Sequence, residues 1–212
     1  MIHDVVLRWV VIALFGLTAA EYAVAIATER RPWTSIVNHI LHLLMGVAMV
    51  VMAWPWAAKY PTTPPAAFFL LAAIAFVAMA VLAVRTAAAR GLYVYHGLMM
   101  LATAWMFVVM DDHLMPAHSS TRSGMPMSMP MNMPGMDMSG MDMPTGSATP
   151  AWFTAVGWIG AVGFALAAVF WVYRYFVERR RKVASRRSLG DLGQAMMAAG
   201  MVIFFVATLF AI

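Results

Sequence analysis

The chain has 212 residues, of which 63% are hydrophobic and only 11% are charged. A soluble globular domain carries roughly 25% charged residues, so this composition indicates an integral membrane protein. The net charge of +5 arises largely from the segment "ERRRKVASRR", which directly follows an apolar stretch and most simply contacts an anionic membrane surface. We therefore expect no binding of nucleic acid.

Six apolar stretches each approach the roughly 20 residues that a helix needs to cross a bilayer. They cover residues 7–28, 36–56, 66–84, 92–110, 152–177 and 192–212. The starting sequence "MIHDVVLRW" lacks a basic segment and a small-residue cleavage site, so the first stretch is predicted to be a retained helix. The predicted fold is all-α, an integral membrane bundle of six transmembrane helices that forms one domain over residues 1–212.

The positions of Lys and Arg predict the orientation of the bundle. With the amino terminus outside, eleven of the fourteen Lys and Arg residues lie on the cytoplasmic side, and only Arg8, Lys59 and Arg122 lie outside. Cytoplasmic segments of membrane proteins carry such an excess of positive charge. We therefore expect a multi-pass protein of the cell membrane whose termini and long loop, residues 111–151, are extracytoplasmic.

The long loop contains "MPMSMPMNMPGMDMSGMDMP", residues 125–144, in which interspersed Pro and Gly exclude a packed helix and indicate an extended tether. Thioethers are soft donors suited to Cu(I), and unlike thiols they have no proton to lose. The chain contains no cysteine. The predicted copper ligands in this loop are Met125, Met127, Met129, Met131, Met133, Met136, Met138, Met141 and Met143.

The beginning of the loop adds harder donors that could hold Cu(II), namely Asp111, Asp112, His113 and His118. His3 offers another Cu(II) site, because a free amino terminus, two amide nitrogens and an imidazole form a square-planar nitrogen set. The alternatives are low-complexity drift for the loop and a chance histidine at position 3.

Two helices each carry a row of methionines that begins at a histidine. The second helix has His42, Met45, Met49 and Met52, and the fourth has His96, Met99, Thr103, Met106 and Met110. These spacings place each set on one helix face. Two interpretations stay open, a pathway of thioether ligands and a packing stripe, because methionine commonly fills irregular gaps in apolar cores.

Four ionisable side chains lie at similar depth near the cytoplasmic ends of their helices: Glu21, His39, His42 and His96. Ionisable groups in hydrocarbon are costly and indicate a functional site. We expect His42 and His96 to converge, with Glu21 or His39 in the same ligand shell. The alternative is a hydrogen-bonded cluster that holds the helices together.

Two segments, "RRPWTSIVNHILHLLMGVAMVVMAWPW" and "LYVYHGLMMLATAWMFVVM", resemble an uncharacterised actinobacterial family of polytopic membrane proteins known only as a domain of unknown function. That resemblance implies six membrane helices and a high-GC Gram-positive source, but no chemistry. The Met-rich loop separately resembles the extracellular ends of Ctr-type copper transporters, and "MGVAM" is similar to their intramembrane Met-x-x-x-Met. Those transporters have three spans, so neither their fold nor their stoichiometry is carried over.

Three functional classes follow from these patterns. The first is copper binding or movement, which alone uses the loop. The second is a haem b or electron-transfer protein with His42 and His96 as axial ligands. The third is a membrane zinc hydrolase that uses Glu21, His39, His42 and His96. Copper binding is preferred and an enzyme is not expected, while transport, storage, sensing, a homo-oligomer and a partner membrane protein stay open.

Overall fold

The computed structural model describes residues 4–28, 33–82, 85–110, 151–180 and 185–210. Within these ranges the chain is helical and contains no strand. The α-helices are α1 (Val5–Thr28), α2 (Trp33–Met52), α3 (Thr63–Leu82), α4 (Ala87–Val109), α5 (Ala151–Arg180) and α6 (Ser185–Phe210), with a short 3-10 helix at Pro55–Lys59. The predicted all-α class is confirmed.

Five helical segments are long and apolar enough to span a membrane: α1, α3, α4, α5 and the Gly190–Phe210 part of α6. The apolar part of α2, Ile36–Met52, is shorter. Long apolar helices satisfy all their backbone hydrogen bonds internally, which is the requirement for crossing a bilayer. The protein is therefore a multi-pass helical membrane bundle.

The second helix ends earlier than its hydropathy predicts. The apolar stretch continues to Trp56, whereas α2 ends at Met52 and a 3-10 helix begins at Pro55. Trp54 has φ −90° and ψ 141°, an extended conformation. The proline ring excludes the helical conformation for the preceding residue and removes one backbone donor, so the α-helix stops before it.

Sequential helices pack as pairs: α1 with α2, α3 with α4, and α5 with α6. Helix α6 also packs along α1, whereas the pair formed by α3 and α4, here called the α3–α4 hairpin, contacts the remaining helices at few points, chiefly where α4 meets α2. The close approach of α5 to α6 depends on glycine. A Cβ atom at Gly160 would lie 2.5 Å from the ring of Phe205.

Polar side chains link the helices at one end of the bundle. The Arg90 Nε atom of α4 donates to the Ala80 carbonyl of α3, and Arg174 of α5 contacts Asp191 of α6. The ends of α3 and α5 therefore lie beside the beginnings of α4 and α6, as short connections between antiparallel helices require. This end, which carries Arg90, Arg174, Arg179 and Arg180, is called the basic end below.

Candidate metal centre

His42 and His96 meet inside the bundle. Their ring centroids are 4.4 Å apart, and the ring planes cross at 73°. His42 is fully buried and His96 is only 5% exposed. Each histidine lies on the inward face of its helix in the half nearer the basic end. The pair, called the histidine pair below, therefore has the convergence that its depth in the two helices predicts.

Hydrogen bonding leaves one nitrogen of each ring without a partner. His42 Nδ1 lies 2.8 Å from the backbone carbonyl of Asn38, which can only accept, so Nδ1 carries the proton. In that tautomer Nε2 of the neutral ring holds a free lone pair. Among the described residues, Nε2 of His42 and Nε2 of His96 are buried without a hydrogen-bond partner. Buried polar atoms normally have one, so both nitrogens call for an explanation.

Aromatic rings enclose the histidine pair. Tyr22 of α1 has its ring centroid 5.2 Å from that of His42, and Phe76 of α3 has its centroid 5.6 Å from that of His96. Tyr95, next to His96 in sequence, has its centroid 5.8 Å away. Helices α1, α3 and α4 thus each contribute one of these rings, which keeps the two imidazoles out of contact with lipid.

The methionine rows predicted on α2 and α4 point into the core. Met45, Met49 and Met99 are fully inaccessible, and Met52 and Met106 are each 2% exposed. Thr103 is also fully buried and donates to the Met99 carbonyl 2.9 Å away. Met110, at the end of α4, is partly buried.

Helix α6 adds a third row that the sequence interpretation missed. Met197 and Met201 are fully buried in the same core as Met45 and Met99. Its signal was present in the sequence, because Asp191, Gln194, Met197 and Met201 recur at offsets of three, three and four. The core of the bundle is therefore lined by thioethers from three helices.

Glu21 and His39 have contacts beside the histidine pair. The Glu21 carboxylate lies against Gly193 of α6, where an added Cβ would be 2.5 Å from Oε2. The His39 ring, one turn before His42 on α2, has its centroid 5.4 Å from that of Tyr22. In the described ranges no group of three or more His, Asp or Glu side chains could hold a metal ion. A third ligand from Glu21 or His39 therefore stays a prediction.

Comparison with known proteins places the chain in a family. Residues 34–208 match the family described as Domain of unknown function (DUF5134). The chain belongs to the DUF5134 family. It is 60% identical over 210 residues to "Uncharacterized protein Rv0970" of Mycobacterium tuberculosis strain H37Rv, and equally to "Uncharacterized protein Mb0995" of Mycobacterium bovis, with 99% of each chain covered. No solved structure matches it. The predicted membership of an uncharacterised actinobacterial family is confirmed.

Polar residues of this DUF5134 protein that the sequence interpretation missed lie between the histidine pair and the basic end. The Gln194 side-chain nitrogen donates to the Tyr22 hydroxyl at 2.7 Å, which joins α6 to α1. Nearer the basic end, Arg174 contacts Glu178 at 2.9 Å and Asp191 at 3.5 Å. The spacing of Gln194 places it in the α6 row but does not name its partner, so only the packing of α1 against α6 identifies the contact with Tyr22.

An apolar groove of about 780 Å³ runs between the α3–α4 hairpin and α5. Leu70, Leu98 and Ile159 line it and are also exposed on the outer surface of the bundle, so the groove opens sideways. Tyr95 lies between the groove and the histidine pair.

Several predicted ligands lie outside the described residues: His3, His113, His118, Asp111, Asp112 and the nine loop methionines from Met125 to Met143. Their assignment as copper ligands stays a prediction.

Proposed function

We propose that this DUF5134 protein binds Cu(I) inside the membrane, between the histidine pair and the adjacent methionine rows. The observation that carries the proposal is the two buried Nε2 atoms, of His42 and His96, that have no hydrogen-bond partner among the described residues. A metal ion bound by both Nε2 atoms would occupy the lone pair of His42 Nε2 and, with His96 protonated on Nδ1, that of His96 Nε2. It would replace two unsatisfied nitrogens in a low-dielectric interior by two bonds.

The chemistry of the neighbouring side chains supports copper. Imidazole suits several transition metals, but thioethers select soft ions such as Cu(I). The largest fully buried side chains of the described core include Met45, Met49, Met99, Met197 and Met201. Thioethers also need no hydrogen bond when no ion is present, so they can line a hydrocarbon interior at little cost.

The geometry and the ligand count of the histidine pair favour copper over haem and over catalytic zinc. Bis-histidine haem places the macrocycle between its axial ligands, and ring centroids 4.4 Å apart leave no space for it. A catalytic zinc site has three protein ligands and an open position for water. In the described part of the chain no third histidine or carboxylate joins the pair to make such a set.

The orientation predicted from the charges gives the path of the ion a direction across the membrane. The basic end faces the cytoplasm under the positive-inside rule, and the Met-rich segment 125–144 faces outward. In this arrangement the external segment captures Cu(I), and the methionine rows lead from the outer half of the bundle to the histidine pair. The resemblance of the segment to Ctr-type loops also supports capture of Cu(I) on the outer side.

Cu(I) loading of the purified protein tests the proposal. We expect X-ray absorption of the anaerobically loaded, full-length protein in detergent to report nitrogen and sulfur neighbours of copper. The combined change Met45→Leu, Met49→Leu and Met99→Leu keeps the apolar volume and removes three thioethers. It should remove most of the sulfur signal and weaken Cu(I) binding by roughly tenfold, because Leu cannot donate a lone pair.

Met79→Leu is the matched control, since Met79 of α3 is 40% exposed on the outside of the bundle. It should bind copper as the parent does. A copper spectrum with no sulfur neighbour, or identical spectra for the triple variant and the parent, would remove the thioethers from the site.

The external segment is tested as a peptide that spans residues 124–145. We expect it to bind about one or more Cu(I) ions and to ignore Zn(II), because its donors are soft. Replacing its nine methionines by leucine retains the apolar bulk and should abolish binding. Equal Cu(I) affinity of the two peptides would show that the methionines are not ligands and would favour low-complexity drift as the origin of the segment. A competition titration with a colorimetric Cu(I) chelator measures both.

A further inference from the structure

The core changes in character at the histidine pair. On the side away from the basic end, the buried side chains are chiefly Met, Phe and Ala, and Met45 and Met99 follow His42 and His96 by one helical turn. On the side of the basic end the buried side chains include polar ones. Gln194 is 8% exposed and Asp191 is 6% exposed, and both lie on α6 one turn apart. Tyr22 lies between Gln194 and His42.

Two side-chain oxygens of these residues are buried and accept no hydrogen bond within the described ranges. Gln194 uses its nitrogen on the Tyr22 hydroxyl, and its Oε1 atom has no hydrogen-bond partner among the described residues. Asp191 Oδ2 has only a contact of 3.5 Å with Arg174 Nε, which does not qualify as a hydrogen bond. Oxygens of this kind are stabilised when water reaches them, and a polar site with several partners is where buried water is found.

The row of polar groups continues to the surface. The Arg174 side chain, which contacts both Glu178 and Asp191, is 42% exposed. The Glu21 carboxylate, packed on Gly193, lies alongside the same turn of α6. From Arg174 through Asp191, Gln194 and Tyr22, polar atoms therefore lead from the basic end to the edge of His42.

We propose that Asp191, Gln194 and Tyr22 line a water-filled crevice through which the histidine pair exchanges Cu(I) with the compartment at the basic end. The exchange rests on the proposed copper function, whereas the crevice itself does not. Oxygen donors hold Cu(I) weakly compared with thioether and imidazole. An ion that leaves the histidine pair on this side therefore meets ligands that release it to water or to a soluble acceptor.

Cysteine labelling tests the crevice, and the natural chain, which has no cysteine, is the background. We expect Asp191→Cys and Gln194→Cys to react with a charged, membrane-impermeant thiol reagent in inverted vesicles, and not from outside intact cells. Gly190→Cys gives a third position, because an added Cβ there meets nothing within 4 Å and disturbs no packing. Failure of Asp191→Cys and Gln194→Cys to react would overturn the crevice, whether or not Gly190→Cys reacts.

Leu166→Cys and Val169→Cys are the controls, since these side chains of α5 are 67% and 68% exposed on the outer surface of the bundle, where lipid covers them. They should not react from either side. Controls that react as fast as Gln194→Cys would also overturn the crevice, because the reagent would then be reaching residues in lipid. Reaction from outside intact cells alone would place the basic end outside the cytoplasm.

Copper release tests the exchange. In Gln194→Leu, the amide is replaced by an apolar side chain of similar size, and release of bound Cu(I) to a charged chelator should slow by about fivefold. The rate is taken relative to the copper bound in the same sample. Release at the parent rate would overturn the exchange route. If the parent protein binds no Cu(I) while the Asp191→Cys and Gln194→Cys variants react, the crevice stands and the proposed copper function is refuted.

Discussion

Replacing His42 and His96 together by Phe is expected to abolish tight Cu(I) binding while the bundle stays folded. Phe keeps an aromatic ring of similar size and removes all four ring nitrogens. Loss of a residue that only hydrogen-bonds to a metal ligand typically costs about 10- to 100-fold in metal affinity. Loss of two direct ligands should therefore cost at least about 100-fold. The apparent melting temperature should be unchanged or higher, because Phe leaves no buried nitrogen unpaired.

Chelator competition for Cu(I) and thermal unfolding in detergent measure the two effects on the same samples. The comparison variant is His39→Phe, since the ring of His39 packs on Tyr22 and a smaller loss of affinity is expected. A double variant that binds Cu(I) like the parent would eliminate the histidine pair as the site. A large drop in its melting temperature would favour the hydrogen-bonded cluster that holds helices together.

Replacing Gly160 by Ala is expected to destabilise the contact between α5 and α6. The new Cβ would lie 2.5 Å from the Phe205 ring, which is itself 3% exposed and stacked on Phe164 at 5.9 Å. The ring therefore has little space into which it can move. Overpacking of this kind typically costs about 1–3 kcal/mol.

Gly163→Ala is the matched control on the same helix, because an added Cβ there meets nothing within 4 Å. Its melting temperature should equal or slightly exceed that of the parent, since Ala is the better helix former by about 1 kcal/mol. Equal melting temperatures for the two variants would show that α5 and α6 adjust without cost at Gly160.

The helices could be predicted from the sequence because each is a nearly uninterrupted apolar run. Their ends were harder to predict, since apolar residues continue past the physical end of α2. Hydropathy includes Trp54 and Trp56 in the span, whereas the helix stops at Met52 because of Pro55. The starts of α4 and α6 lie earlier than hydropathy places them, at Ala87 and Ser185, because polar and small residues extend a helix beyond its apolar part.

The convergence of His42 and His96 was predicted because both residues begin methionine rows and lie at a similar depth in helices that begin at the same end. The direction of Glu21 was not predictable in this way. Its carboxylate faces α6 since Gly193 leaves room for it there, and helical spacing does not say which neighbour a side chain meets. Gln194 was missed for the same reason, because its partner Tyr22 is far away in the sequence.

The sparse contact between the α3–α4 hairpin and the other helices has a thermodynamic consequence. His42 belongs to one side of that boundary and His96 to the other, so an ion held by both rings is a cross-link between two bodies. The same hairpin forms one wall of the apolar groove, whose other wall is α5. Under the proposed copper function, a lipid chain that entered the groove and displaced the hairpin would change the affinity of the rings for the ion. By reciprocity the bound ion would change the affinity of the groove for lipid by the same factor.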